Sequence, residues 1–233
     1  MLNNITVEIS PDLSPQPAIG RLAAEAAACF GLDAEHPQPP PLFQPFTLSL
    51  RPYELIFLTG PSGTGKSTLL RTLEQALIPT HLQPDQHIRL DALPPWPNRP
   101  IAEGFPTPLP NDLDATTRWM SLAGLAEAPL LLRQPRHLSQ GQHFRLQLAQ
   151  ALALAEHQIA QQPKIAPVVI ADEFAAPLDR LTAANIARTL RRWVNQTPCA
   201  FIAATTHDDL LEPLNPNTLI ELTPAGETRI HTR

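Results

Sequence analysis

Residues 60–67 read Gly60-Pro61-Ser62-Gly63-Thr64-Gly65-Lys66-Ser67 and fit GxxxxGK[ST], a pattern whose chemistry is phosphate binding. Small residues let successive backbone N–H groups curl around a phosphate, and a helix N-terminus adds partial positive charge. Lys66 would reach the outer phosphates of a nucleotide, and the Ser67 hydroxyl would ligate magnesium. The binding set on this segment runs from Gly60 through Thr68. It takes three of only nine glycines in 233 residues, which favours a built loop over a solvated turn. A second element, Val168-Val-Ile-Ala-Asp172-Glu173, is an apolar run ending in two acids. Asp172 at a strand end can reach the same magnesium through water, and Glu173 can polarise an attacking water as general base. Taken alone, this element is equally an ordinary strand exit with two acidic residues. Between the two lies Leu138-Ser139-Gln140-Gly141-Gln142, where Ser139 fits an N-cap and the helix start an anion site. By itself that pentapeptide reads as a capped helix start.

These residues need elements to hold them. Glu54 to Thr59 reads as a buried strand leading into the phosphate loop, with a helix from Lys66 to about Leu77 behind it. Val168 to Ala171 and Ala200 to Ala204 are short continuous apolar runs, the pattern of strands buried on both faces. Helices are expected over Arg21–Phe30, stopped by Gly31, over Asp112–Glu127, from Gln140 to about His157, and over Thr182–Val194. Ile5, Val7 and Ile9 alternate as a short strand, Phe46 to Leu50 as an edge strand, and His87 to Leu93 as a further strand. Thr218–Leu222 and Thr228–His231 flank a Pro-Ala-Gly turn and predict a terminal hairpin. Strands alternating with helices imply an α/β fold with a mostly parallel core sheet.

Composition narrows the function classes. At 43% hydrophobic and 17% charged, the chain has the apolar content for a single folded domain over 1–233. A net charge of −5 offers no evident nucleic-acid surface, and Arg188, Arg191 and Arg192 read as a solvated helix face. No apolar stretch is long enough to insert into a membrane. Cys29 and Cys199 match no metal or redox spacing, so a cytoplasmic, reducing setting is expected. Prolines number 28 and concentrate at 36–45 and 94–110, which are expected to be stiff loops. Trp96, set among the second group, is readable as a partner-binding surface or as a pin holding that loop to the core.

The order of these elements resembles the ATP-binding-cassette (ABC) ATPases, a group within the P-loop NTPases. The phosphate loop, the signature-like LSQGQ at 138–142, the VVIADE at 168–173, a Pro177-Leu178-Asp179 similar to the family's D-loop, and Thr206-His207-Asp208 follow in the family's sequence over about residues 46–222. The resemblance implies ATP and Mg2+, an antiparallel N-terminal β portion, and a small helical subdomain at about 112–160. It implies an ATP-dependent head-to-tail homodimer, with each ATP contacting the phosphate loop of one subunit and Ser139, Gly141 and Gln142 of the other. His207 would touch the γ-phosphate and position Glu173, while Asp179 would couple the two sites. Catalysis would rest on Glu173, His207 and Lys66, with magnesium held by Ser67 and Asp172.

Two departures from the family pattern bear on use. The signature carries Gln140 where glycine is commonest. From Asp91 to Arg133 there is no glutamine, although transporter members carry a glutamine loop in this region. Within the family, the chain looks most like the soluble ATPases linked to an acetyltransferase-like domain, without that domain being present. The expected use is ATP hydrolysis coupled to conformational change in an unknown soluble or membrane partner. The alternatives are the ATP-binding subunit of a membrane transporter and, less favoured by the signature and His207, a small-molecule kinase. Phe30 and Phe43 are the candidates for stacking on adenine, with core packing open for either.

Overall fold

The computed structural model describes residues 5–11, 20–31, 42–78, 86–106 and 108–233. Strand β1 (Ile5–Ile9) precedes helix α1 (Arg21–Cys29), followed by β2 (Phe46–Leu50), β3 (Glu54–Thr59) and α2 (Lys66–Leu77). Next come β4 (His87–Arg89), α3 (Leu113–Leu122), α4 (Ala128–Leu131) and the long α5 (Gln140–Gln161). β5 (Val168–Ala171), α6 (Arg180–Val194), β6 (Ala200–Ala204), α7 (Leu211–Leu214), β7 (Thr218–Leu222) and β8 (Thr228–Thr232) complete the chain.

The main sheet has the order β4-β5-β6-β3-β7-β8, parallel from β4 to β7, with β8 returning antiparallel in the expected hairpin. β1 and β2 pair antiparallel as a separate ribbon, with Ile5 opposite Leu50 and Ile9 opposite Phe46. Side-chain alternation along the central strands divides the core. Leu55 and Phe57 of β3, Val169 and Ala171 of β5, and Phe201 and Ala203 of β6 face the cluster that includes α3, α5 and α6. Ile56 and Leu58, Val168 and Ile170, and Ala200 and Ile202 face the opposite cluster. There the apolar stripe of α2 (Leu69, Leu70, Leu73, Leu77) meets Val7 and Ile9 of β1 and Leu48 and Leu50 of β2. Both faces of the sheet are therefore covered, as a parallel sheet requires.

Some element boundaries differ from the sequence expectation. The strand expected over His87–Leu93 ends at Arg89, and Leu90–Ala92 curl into a 3-10 turn. Arg89 Nε and Nη2 donate to the two Asp91 carboxylate oxygens at 2.7 Å each, pinning that turn. The helix expected over Asp112–Glu127 runs only from Leu113 to Leu122. Asp112 caps its start by accepting from the N–H groups of Asp114 and Ala115. Gly124, at φ +74°, ends it. Leu125 N–H donates to Met120 O at 2.8 Å and Gly124 N–H to Ser121 O at 3.0 Å, a Schellman closure with Leu125 buried beneath it. α5 continues to Gln161, beyond the expected end near His157, although its buried residues end at Ala155.

Glu156 on α5 fastens this helical layer. Its carboxylate accepts from Arg118 at 2.6 and 2.9 Å, from Trp119 Nε1 at 3.0 Å and from Trp193 Nε1 at 2.8 Å, joining α3, α5 and α6. Trp96 pins its proline-rich loop: its ring lies 4.7 Å from Phe105, which stacks edge-on to Trp119. The stretch 36–45 lies outside the described residues as far as 41. Arg191 is not simply solvated. It donates to Asn217 Oδ1 at 2.7 Å and so joins α6 to the start of β7.

Candidate active site

Three neighbouring strands deliver the chemistry. β5, β6 and β3 lie side by side and parallel, so the exits after Ala171, Ala204 and Thr59 open on one edge of the sheet. A cavity of about 480 Å³ lies there. Ser62, Gly63, Gly65, Lys66, Ser67 and Thr68 line it from the phosphate loop and α2. Asp172, Glu173 and Ala176 line it from the β5 exit, Ala204, Thr205 and Thr206 from the β6 exit, and Leu42 closes one wall.

The loop's shape depends on its glycines. Gly60 sits at φ +145°, and a Cβ there would stand 2.3 Å from Leu222 O. Gly65 sits at φ +93° with Leu42 Cβ 2.8 Å from where its own Cβ would be. Thr64 is buried, and its hydroxyl donates to Pro61 O at 2.9 Å, bracing the loop from inside. Lys66 Nζ donates to Gly60 O at 2.7 Å and Pro61 O at 2.8 Å, which holds the ammonium across the loop mouth. Burial lowers the Lys66 pKa from its ordinary value, partly offset by the charges of Asp172, Asp208 and Glu173.

Helix termini differ in their capping, and α1, α4 and α7 have no side-chain cap. α3, α5 and α6 begin with side-chain caps from Asp112, Ser139 and Asp179. α2 begins at Gly65 with no side-chain cap. The first-turn N–H groups of a helix have no intrahelical acceptor, and Lys66, Ser67 and Thr68, which carry those of α2, line the cavity, a setting that suits an anion.

Asp172 Oδ1 accepts the N–H of Glu173 at 3.0 Å, and Glu173 adopts φ +51°. Left-handed backbone in a non-glycine residue is uncommon and recurs at functional sites. His207 is half-buried one residue past the cavity lining, its N–H donating to Thr205 Oγ1 at 3.3 Å.

Ser139, Gly141, Gln142 and Asp179 are absent from this cavity's lining. Ser139 and Gln142 form a reciprocal capping box at the start of α5, with N···O distances of 3.1 and 3.3 Å. That box uses a lone pair of the Ser139 hydroxyl as acceptor and leaves its O–H free to donate. Asp179 Oδ1 accepts from Thr182 N at 2.9 Å. Hydrogen bonds from Thr182 hold its carboxyl below the usual range.

Neither aromatic candidate lines the cavity. Phe43 is fully buried against Phe46, and Phe30 is 81% exposed. Leu42 is the apolar wall instead, a residue that a search for aromatics passes over. Sequence reading also missed Thr205 and the electrostatic part of Asp208, which accepts a hydrogen bond from Thr59 at the end of β3.

Comparison with known proteins agrees with this geometry. A family model described as an AAA domain matches residues 51–214. The chain is 30% identical over 183 residues to the cytochrome c biogenesis ATP-binding export protein CcmA of Ruegeria pomeroyi, covering 73% of this chain and 79% of that protein. The chain belongs to the ABC-type ATPases. It is also 26% identical over 193 residues to the putative 2-aminoethylphosphonate import ATP-binding protein PhnT of Salmonella choleraesuis, covering 72% of this chain. There it spans about half the relative's length, 48%. Its fold resembles a dimeric, post-hydrolysis ATP-binding cassette, MJ0796, bound to ADP and Pi. The TM-score is 0.59 at 20% identity, with 82% of this chain and 90% of that chain covered. As an ABC-type ATPase, the protein binds ATP and hydrolyses it to ADP and phosphate.

The cavity suits that nucleotide and its usual ion, Mg2+. Among the described residues no group of three His, Cys, Asp or Glu is placed to hold a metal alone. Ser67 and Asp172 share the cavity, and a hydroxyl with one carboxylate is a donor set completed by phosphate oxygens and water, as Mg2+ prefers. Among the described residues no helix is long and apolar enough to cross a membrane.

Proposed function

We propose that two copies of this ABC-type ATPase enclose ATP head to tail and pass the resulting closure to a partner protein. The carrying observation is that Lys66, Ser67, Asp172 and Glu173 share one cavity whose lining excludes Ser139, Gly141, Gln142 and Asp179. The free Ser139 O–H and the α5 N-terminus are donors for the γ-phosphate of the partner subunit's nucleotide. In this reading residues 112–160 are the helical subdomain that presents them. The N–H groups around Gly63 to Lys66, apart from that of Thr64, which donates to Pro61 O, and the Lys66 ammonium hold phosphate charge, with Gly60, Pro61 and Ser62 shaping the loop. Ser67 and Asp172 would hold Mg2+, which would supply positive charge to offset that of the phosphates. Glu173 orients the attacking water as general base, His207 steadies the γ-phosphate side, and Asp179 links the two sites.

The partner has two readings. The names of the relatives, ATP-binding proteins of export and import, favour a membrane transporter. The absence of glutamine from Asp91 to Arg133, and the likeness to acetyltransferase-linked ATPases, favour a soluble partner. Tagged Glu173→Gln protein, loaded with ATP and Mg2+ in native lysate, separates them. Retention with an integral membrane protein supports the first. Recovery with a soluble partner supports the second, and failure to dimerise with ATP overturns the shared-site reading.

A further inference from the structure

We infer that Phe174 is a positioning residue for Glu173, and that Phe144 ties it to the start of α5. The inference rests on the reading of Glu173 as the base. Phe174 stands between two left-handed residues, Glu173 at φ +51° and Ala175 at φ +60°. Such a backbone persists only where its surroundings hold it. Phe174 supplies the hold. Its side chain is fully buried, edge-on to Phe144 at 5.8 Å on one side and to Phe201 at 6.2 Å on the other. Its N–H donates to Ala204 O at 2.7 Å, tying the turn to the end of β6. The turn closes on itself through Ala176 N–H to Glu173 O at 3.0 Å and Leu178 N–H to Ala175 O at 3.1 Å.

The same turn touches α5 twice. Phe144 is one contact. The other is Gly141, where an added Cβ would lie 3.2 Å from both Pro177 O and Leu178 Cδ2. The first turn of α5 is thus braced against the segment that starts at the base and ends at Asp179. A displacement of the Ser139 end of α5 is carried by ring-on-ring and backbone contact to Glu173 of the same chain. The three rings, Phe144, Phe174 and Phe201, are apolar and none lines the nucleotide cavity, so the device sets the geometry of Glu173 without contributing a group to nucleotide binding.

The test compares full-length variants in steady-state ATPase assays with Mg2+-ATP. Phe174→Leu is expected to lower kcat at least tenfold with KM for ATP within twofold of wild type. Phe105→Leu, equally buried in a ring stack away from the turn, is the control for general softening. It is expected to keep kcat within twofold even where its melting temperature falls as far. Phe144→Leu is expected to lower kcat in the same sense, and it carries the test should Phe174→Leu fail to fold. Wild-type kcat in the folded variants, or equal losses in Phe174→Leu and Phe105→Leu, overturns the inference. Glu173→Gln runs alongside. If it hydrolyses at the wild-type rate, the base reading fails and takes this inference with it. If it is inactive while Phe174→Leu is normal, only this inference fails.

Discussion

At the residue scale, the cavity's work in the proposed reading is divided between groups that hold phosphate charge and a group, Glu173, that orients water. Lys66 is the one ammonium in the cavity lining, and its hold on Gly60 O and Pro61 O keeps it at the loop mouth. Lys66→Ala is therefore expected to abolish nucleotide binding, measured by titration calorimetry with Mg2+-ATP. Glu173→Gln keeps shape and hydrogen-bonding capacity but removes the base. It should bind ATP normally and lose roughly 10²–10⁴-fold in turnover, the usual worth of general base catalysis. An unchanged rate would exclude that role. Lys66, Ser67, Asp172 and Glu173 were legible in the sequence because each sits in a contiguous pattern with a local physical reason. Thr205 was not, because it joins the site only through the pairing of β6 beside β5 and β3, and Leu42 was not, because a loop residue before β2 has no local pattern that points to the cavity; Asp208 was legible only as part of a motif, without its hydrogen bond from Thr59.

At the element scale, helix ends decide where ligands can bind. Asp112, Ser139 and Asp179 each take part of the first-turn N–H groups of α3, α5 and α6, in α5 that of Gln142 alone, while α2 has no side-chain cap and begins in the cavity wall. The short apolar runs at β3, β5 and β6 were legible because strands buried on both faces read as unbroken hydrophobic segments. The end of α3 was not, since Gly124 looks like any loop glycine until the two Schellman hydrogen bonds are seen. Gly124→Ala must place a Cβ at φ +74° and is expected to cost about 1–2 kcal/mol in urea denaturation, with little effect on ATP affinity. A stability equal to wild type would show that the closure contributes nothing.

At the scale of the whole molecule, one carboxylate ties the helical layer together. Burial alone would raise the Glu156 pKa, but hydrogen bonds from Arg118, Trp119 and Trp193 outweigh it and hold the carboxyl below its usual range. A folded pKa below the unfolded one gives stability that is full above the unfolded value, ordinarily 4.5, and is lost as pH falls through the folded value. Glu156→Gln is expected to cost about 1–3 kcal/mol at pH 7, with the gap closing as the pH is lowered below that value. A gap independent of pH would contradict the assignment. Assembly is the larger question, because Lys66 and Ser139 belong to one chain yet only Lys66 lines the cavity. Ser139→Asp keeps an N-cap, since aspartate caps as well as serine, but in the proposed shared site it would place an anion against the partner subunit's γ-phosphate. Alone, Lys66→Ala and Ser139→Asp should each lack turnover. Mixed, random pairing restores about a quarter of the sites, each joining the intact phosphate loop of one chain to the intact Ser139 of the other. The ATPase rate of that mixture is the most direct measurement: recovered activity is the predicted result, and a mixture as inactive as its parts would contradict a site shared between two copies.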